Sequence, residues 1–163
     1  MKMVRNPHRG RPTALVDAPF PSTNVAAVQK LLAHCPHADE TPLVDAAALG
    51  PAGSLWVKDE RARMGLGSFK ALGAAYVIAN DAAARAASPD SNTLAGETYV
   101  TASAGNHGLS VAAGARVFGA QAVVYIAETV PADFATRLGG LGAKVVRKGR
   151  DYAADAAADI DAA

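Results

Sequence analysis

From Thr98 onward the chain alternates β-branched runs with small-residue helical stretches, and this alternation restricts the fold more than any other feature. Thr98-Tyr99-Val100-Thr101 reads as a strand. The tight turn Ser103-Ala104-Gly105-Asn106-His107-Gly108 opens a helix that runs to about Phe118. Gln121 to Ala127 forms the next strand, Pro131 suits the first turn of a helix reaching about Leu138, and Ala143 to Arg147 forms a further strand. Gly139-Gly140-Leu141-Gly142 reads as that helix's C-terminus, and the Ala- and Asp-rich stretch 151–163 as a last helix. Strand and helix in strict succession imply a parallel sheet with helices on its faces, so the expected class is α/β. The unbroken apolar run at 122–126 is what a parallel strand covered on both sides requires.

The upstream part is less regular. Residues 1–21 are rich in Pro and Arg, lack periodicity and read as an extended arm. Ser22-Thr23-Asn24 offers caps for a helix over about 24–34, with Val25, Val28, Leu31 and Leu32 at helical spacing. Thr41-Pro42-Leu43-Val44 is extended, because a residue before proline avoids the helical region. Ser54 to Lys58 is a short strand, followed by the charged Asp59-Glu60-Arg61.

A glycine-rich turn then becomes a helix in Gly65-Leu66-Gly67-Ser68-Phe69-Lys70-Ala71-Leu72-Gly73-Ala74-Ala75-Tyr76, with Ser68 placed as a good N-cap. From Ala71 to Ala79 nearly every helical face is apolar, so the helix is expected to be buried and to end before Ser88-Pro89-Asp90. Lys70 is the single charge in its first turn. It sits against the positive end of the helix dipole, which disfavours a cation. A residue that violates local rules in this way is a candidate functional residue, although its amine could also simply snorkel to solvent.

Neither glycine turn matches a common phosphate-binding signature. A Walker A loop needs two glycines five residues apart followed by Lys and Ser or Thr, and Gly65, Gly67 and Lys70 do not comply. In the dinucleotide fingerprint a third glycine would stand where Lys70 is. A lysine at the mouth of a buried helix is instead suited to Schiff-base chemistry. The second turn follows a strand's carboxyl end and opens a helix, where backbone N–H groups favour an anion such as a carboxylate. An esterase elbow at Ser103 wants glycine two residues earlier, where Thr101 stands.

Composition excludes several other classes. With 50% hydrophobic and 19% charged residues the balance is globular, and a formal net charge of +1 gives no electrostatic case for nucleic acid or an anionic membrane. No apolar run approaches a membrane span, and the single cysteine, Cys35, fits a reducing cytoplasm. His34-Cys35-Pro36-His37 contains metal-ligand side chains, but its spacing matches no common zinc signature, and no metal is expected.

Together the two turns resemble those of the pyridoxal-phosphate enzymes of the tryptophan-synthase-β-like group, fold type II. Ser68-Phe69-Lys70 is similar to the group's Ser-Phe-Lys motif, and Ser103-Ala104-Gly105-Asn106-His107 to its Ser-x-Gly-Asn-His loop. Val57-Lys58-Asp59-Glu60-Arg61, Gly65 to Gly73, Gly105-Asn106-His107-Gly108, Val124-Tyr125 and Asp151-Tyr152 look most like diaminopropionate ammonia-lyases.

The resemblance implies pyridoxal 5'-phosphate as cofactor, held covalently by Lys70, which would then move the substrate's Cα proton. Asn106 would hydrogen-bond the cofactor's ring hydroxyl, and Phe69 would help wall the site. The backbone of Ser103, Ala104, Gly105, Asn106 and His107 would bind the carboxylate of a small amino acid. The implied reaction is α,β-elimination to a 2-oxo acid and ammonia. The parent would be a cytoplasmic homodimer. Residues 1–90 would carry the arm and first elements of a large cofactor domain, and 91–163 a smaller parallel subdomain.

Two departures bear on this. Where diaminopropionate lyases typically carry Asp before Gly-Asn-His, this chain has Ala104, as serine and threonine dehydratases do. The group's later phosphate loop also has no counterpart here, so the sequence corresponds to the N-terminal portion of such an enzyme. An inactive fragment or interaction module is the competing expectation, with an exposed sheet edge and apolar surface.

Overall fold

The computed structural model describes residues 23–49 and 54–149. The arm expected over 1–21 and the helix expected over 151–163 lie outside them.

The first helix, α1 (Val25–Leu32), is capped by Asn24, whose side chain accepts from the Ala27 N–H at 3.2 Å. None of its residues is buried. Strands β1 (Leu43–Asp45) and β2 (Trp56–Lys58) pair antiparallel, Val44 opposite Val57, as a two-stranded ribbon with exposed residues throughout. The sequence indicated both segments as extended but carried no sign of their pairing.

After a 3-10 turn at Arg63–Gly65 comes α2 (Ala71–Arg85). The parallel unit follows as β3 (Thr98–Ala102), α3 (Asn106–Val117), β4 (Gln121–Ile126), α4 (Ala132–Gly140) and β5 (Lys144–Arg147). Its strand order is β3-β4-β5, with Val100 beside Val123 and Val124 beside Val145. The alternation in the sequence therefore translates directly into a parallel α/β sheet. Pro131 stands at the N-cap of α4, one residue before the helical turn expected for it.

Two expectations about burial are corrected. In β4, Ala122, Val124 and Ile126 are buried, while Val123 and Tyr125 between them are only half-buried. Right-handed crossovers from β3 to β4 and from β4 to β5 put α3 and α4 on the same face. Among the described residues the opposite face carries no helix, which is why the apolar run is covered on one side only. Likewise α2 buries Ala71, Ala74, Ile78 and Ala82, one stripe at spacings of three and four, while Val77 is 55% exposed. Its all-round apolar pattern is not matched by all-round burial.

The core joins Ala74, Ile78 and Ala82 of that stripe to Leu109, Val111, Ala112 and Ala115 of α3, the buried side of β4, Leu94 from the loop before β3, and Leu138 of α4. Tyr99 ties β3 to α2 through its hydroxyl, which donates to Asp81 Oδ2 at 2.9 Å. Burial foremost, and then that carboxylate, push the Tyr99 phenol up to about 12.

Candidate active site

The glycine turn before α2 is built by backbone sign. Gly65 and Gly67 have φ of 69° and 77°, a region that costs a side chain steric strain, and Met64 between Arg63 and Gly65 also has φ of 49°. An ionic cluster anchors this turn. The Arg63 guanidinium donates to both Glu60 carboxylate oxygens, at 2.7 and 2.9 Å, to the Asp39 carbonyl at 2.8 Å and to Thr41 Oγ1 at 2.7 Å. Thr41 Oγ1 in turn donates to Glu60, and Lys58 Nζ to the Thr41 carbonyl. Hydrogen bonds from Arg63 and then Thr41 hold the Glu60 carboxyl down at about 2. Arg61 does the same for Asp59, also to about 2.

Ser68 is buried, and its hydroxyl accepts from the Lys70 N–H at 3.2 Å. It caps a 3-10 lead-in, in which Ala71, Leu72 and Gly73 each donate to the carbonyl three residues back. It is therefore not the N-cap of α2, as the sequence suggested. Lys70 itself holds that position, just ahead of the first helical turn. The side chain is exposed rather than drawn into the core, and no side-chain hydrogen bond or ion pair engages its amine among the described residues. Phe69 beside it is 64% exposed.

The second turn continues β3 beyond the carboxyl end of the sheet, with the Ser103 N–H donating to Tyr125 O at 3.1 Å. Ser103 is buried and its hydroxyl accepts from the Gly108 N–H at 3.1 Å, folding the turn onto the first residues of α3. A Cβ at Gly108 would lie 2.7 Å from the Ser103 carbonyl, so only glycine permits this closeness. With the Ser103 and Gly108 donors engaged, the N–H groups of Ala104, Gly105, Asn106 and His107 have no protein acceptor among the described residues. Asn106 and His107 are exposed on the first turn of α3.

One residue unmentioned in the sequence reading brings the two turns together. Ser110 Oγ donates to the Ala71 carbonyl and accepts from the Ala75 N–H, each at 3.2 Å. Further along, a Cβ on Gly114 would lie 3.3 Å from Ala75 Cα and 3.0 Å from Ile78 Cδ1. Early positions thus meet early and later meet later, so α2 and α3 run in the same direction with adjacent N-termini. Lys70 directly precedes Ala71, and Asn106 lies one turn, about 6 Å, before Ser110. An unengaged amine, four unengaged N–H groups and two positive helix ends therefore share one region beyond the sheet. Such a region suits an anionic ligand with a carbonyl that an amine can attack. The visible signal for Ser110 was a lone hydroxyl inside Leu109-Ser110-Val111-Ala112. For Glu60 and Arg63 it was only a charged run, which more commonly marks a solvated surface.

His34, among the candidate metal ligands, has its ring Nδ1 2.8 Å from the Lys30 carbonyl. Among the described residues no group of three His, Cys, Asp or Glu side chains could hold a metal ion, and no helix is long and apolar enough to cross a membrane.

The family described as pyridoxal-phosphate dependent enzyme matches residues 35–163, and the chain belongs to it. Pyridoxal 5'-phosphate is the cofactor that defines this family. Within it the chain is similar to diaminopropionate ammonia-lyase of Escherichia coli (strain K12), with 34% identity over 125 residues, 69% of this chain and 31% of the relative. It thus spans about a third of the length of the curated relatives it matches. The crystal structure of that Escherichia coli enzyme in apo form is similar with a TM-score of 0.75 at 25% identity, over 88% of this chain and 41% of the other. Threonine deaminase isoform 2 from Solanum lycopersicum, in its processed form, shares the fold with a TM-score of 0.59 at 24% identity, over 85% and 36% of the two chains.

Proposed function

We propose that this chain supplies the lysine-bearing part of a pyridoxal-phosphate-dependent ammonia-lyase acting on a small amino acid of the diaminopropionate type. The observation that supports the reading is the co-directional packing of α2 and α3, which brings the start of α2, just after Lys70, near the start of α3, just after the unengaged amides of the Ala104 turn. In this reading Lys70 Nζ attaches the cofactor and then carries the proton taken from the substrate Cα. Asn106 hydrogen-bonds the cofactor's ring hydroxyl from the first turn of α3. The Ala104, Gly105, Asn106 and His107 amides receive the substrate carboxylate, with Ser103 shaping the turn through its engaged hydroxyl. Phe69 walls the site. When bound, the cofactor supplies the electron sink for Cα deprotonation and loss of the β-substituent. The parent is a homodimer, with residues 1–90 contributing to its large domain and 91–163 forming the smaller one.

Ala104 supports a second reading, a serine or threonine dehydratase, because an alanine side chain offers no carboxylate beside the Gly-Asn-His turn.

Adding pyridoxal phosphate to the folded chain, reducing with borohydride and mapping the adduct tests the site. Label at Lys70 is expected, and absence of label from folded protein would refute it. In the full-length parent, oxo-acid release from diaminopropionate is expected. Release from L-serine or L-threonine alone would favour the dehydratase.

A further inference from the structure

On the α2 side, the α2–α3 seam is lined by small residues at the end nearest the two turns, Ala71 and Ala74. Small side chains let helices approach closely but provide few knobs to fix their sliding position. A larger side chain of α2, Ile78, meets α3 at Gly114, further along the seam. At the near end the directional tie is the Ser110 hydroxyl. It is 0% exposed and engages both members of the first i to i+4 pair of α2, the Ala71 carbonyl and the Ala75 N–H. A buried hydroxyl whose donor and acceptor are both satisfied has a fixed orientation, and shifting either helix would leave the buried Ser110 hydroxyl without its partners on α2.

We propose that Ser110 is a positioning residue: it sets the separation of the α2 and α3 N-termini, and with them of Lys70 and Asn106. This deepens, and rests on, the cofactor reading above. Ser110 touches neither cofactor nor substrate and acts only through the backbone of α2.

The test compares Ser110→Ala with Leu94→Ala in the 163-residue chain. Leu94 is buried at the far end of the seam, where its N–H donates to the Phe118 carbonyl just past α3, so its truncation destabilises the fold without touching the near end. The first readout needs no cofactor. By amide hydrogen exchange, Ser110→Ala is expected to accelerate Ala75 and its first-turn neighbours at least tenfold relative to amides near Arg85, and Leu94→Ala to show no such selectivity. The second is borohydride trapping at Lys70 across a pyridoxal phosphate titration. Here Ser110→Ala is expected to need at least tenfold more cofactor for half-labelling, while Leu94→Ala, at a temperature where it is folded, titrates like the wild type. A purely stabilising role would give both variants the same labelling curve, which overturns the proposal, as does unselective exchange in Ser110→Ala. If the folded wild type takes no label, the cofactor reading fails, and the exchange pattern alone decides whether Ser110 sets the helix ends.

Discussion

At Lys70 a local rule singles out a residue whose surroundings differ from those the rule assumes. Its conflict with the helix dipole singles it out, but the expected burial is absent, because α2 covers only one stripe and Lys70 precedes it. Since the side chain is exposed and makes no hydrogen bond among the described residues, Lys70→Ala is expected to abolish the borohydride adduct. Its unfolding midpoint should change by no more than about 0.5 kcal/mol equivalent, measured by urea titration. Glu60 gives a pH prediction. Its carboxyl is held at about 2 against an ordinary value of 4.5, so the folded state binds a proton less readily than the unfolded one. The stability this contributes is complete above pH 4.5 and is lost as pH falls toward 2. Thermal melting of Glu60→Gln should therefore depend less on pH across that window than melting of the wild type.

At the scale of elements, the turn between β3 and α3 depends on a single missing side chain. Gly108→Ala would drive a Cβ into the Ser103 carbonyl, which is backbone and cannot swing aside. A loss of about 1–3 kcal/mol in denaturant unfolding is expected, accompanied by weaker labelling at Lys70. The tie between α2 and β3 titrates at the other end of the pH scale. The Tyr99 phenol is raised from 10.0 to about 12, so its stabilising contribution is present below pH 10 and fades as pH rises through 12. Tyr99→Phe should flatten the alkaline arm of the melting profile. The glycine turns, the helix and strand order and the Asn106 loop were legible because each depends on residues adjacent in the chain. Ser110 and the joining of Thr41 to the Glu60 and Arg63 pair were not, because those contacts span 19 to 39 residues.

Across the molecule, apolar surface is the feature with most consequence. Trp56 is 58% exposed, Leu43, Val44 and Val57 of the ribbon are exposed with it, and so is Val100 on β3. Such a surface is a docking or association liability. The isolated chain is expected to bind a hydrophobic fluorescent probe and to self-associate with rising concentration in sedimentation. Val44→Lys combined with Trp56→Lys should reduce both while leaving β3, α3 and β4 intact.

The sequence by itself determined the α/β class, the order of strands and helices, the two turns and the family likeness. These follow from periodicity, glycine placement and short motifs, all of which act over a few residues. Only the tertiary structure decided that α2 and α3 run in the same direction with their N-termini together. It also decided that the sheet and α2 are each covered on one side among the described residues, and that Ser110 bridges the two helices. Packing between distant segments sets those features. The hydrogen bonds and close contacts that specify them exist only once both segments are in place.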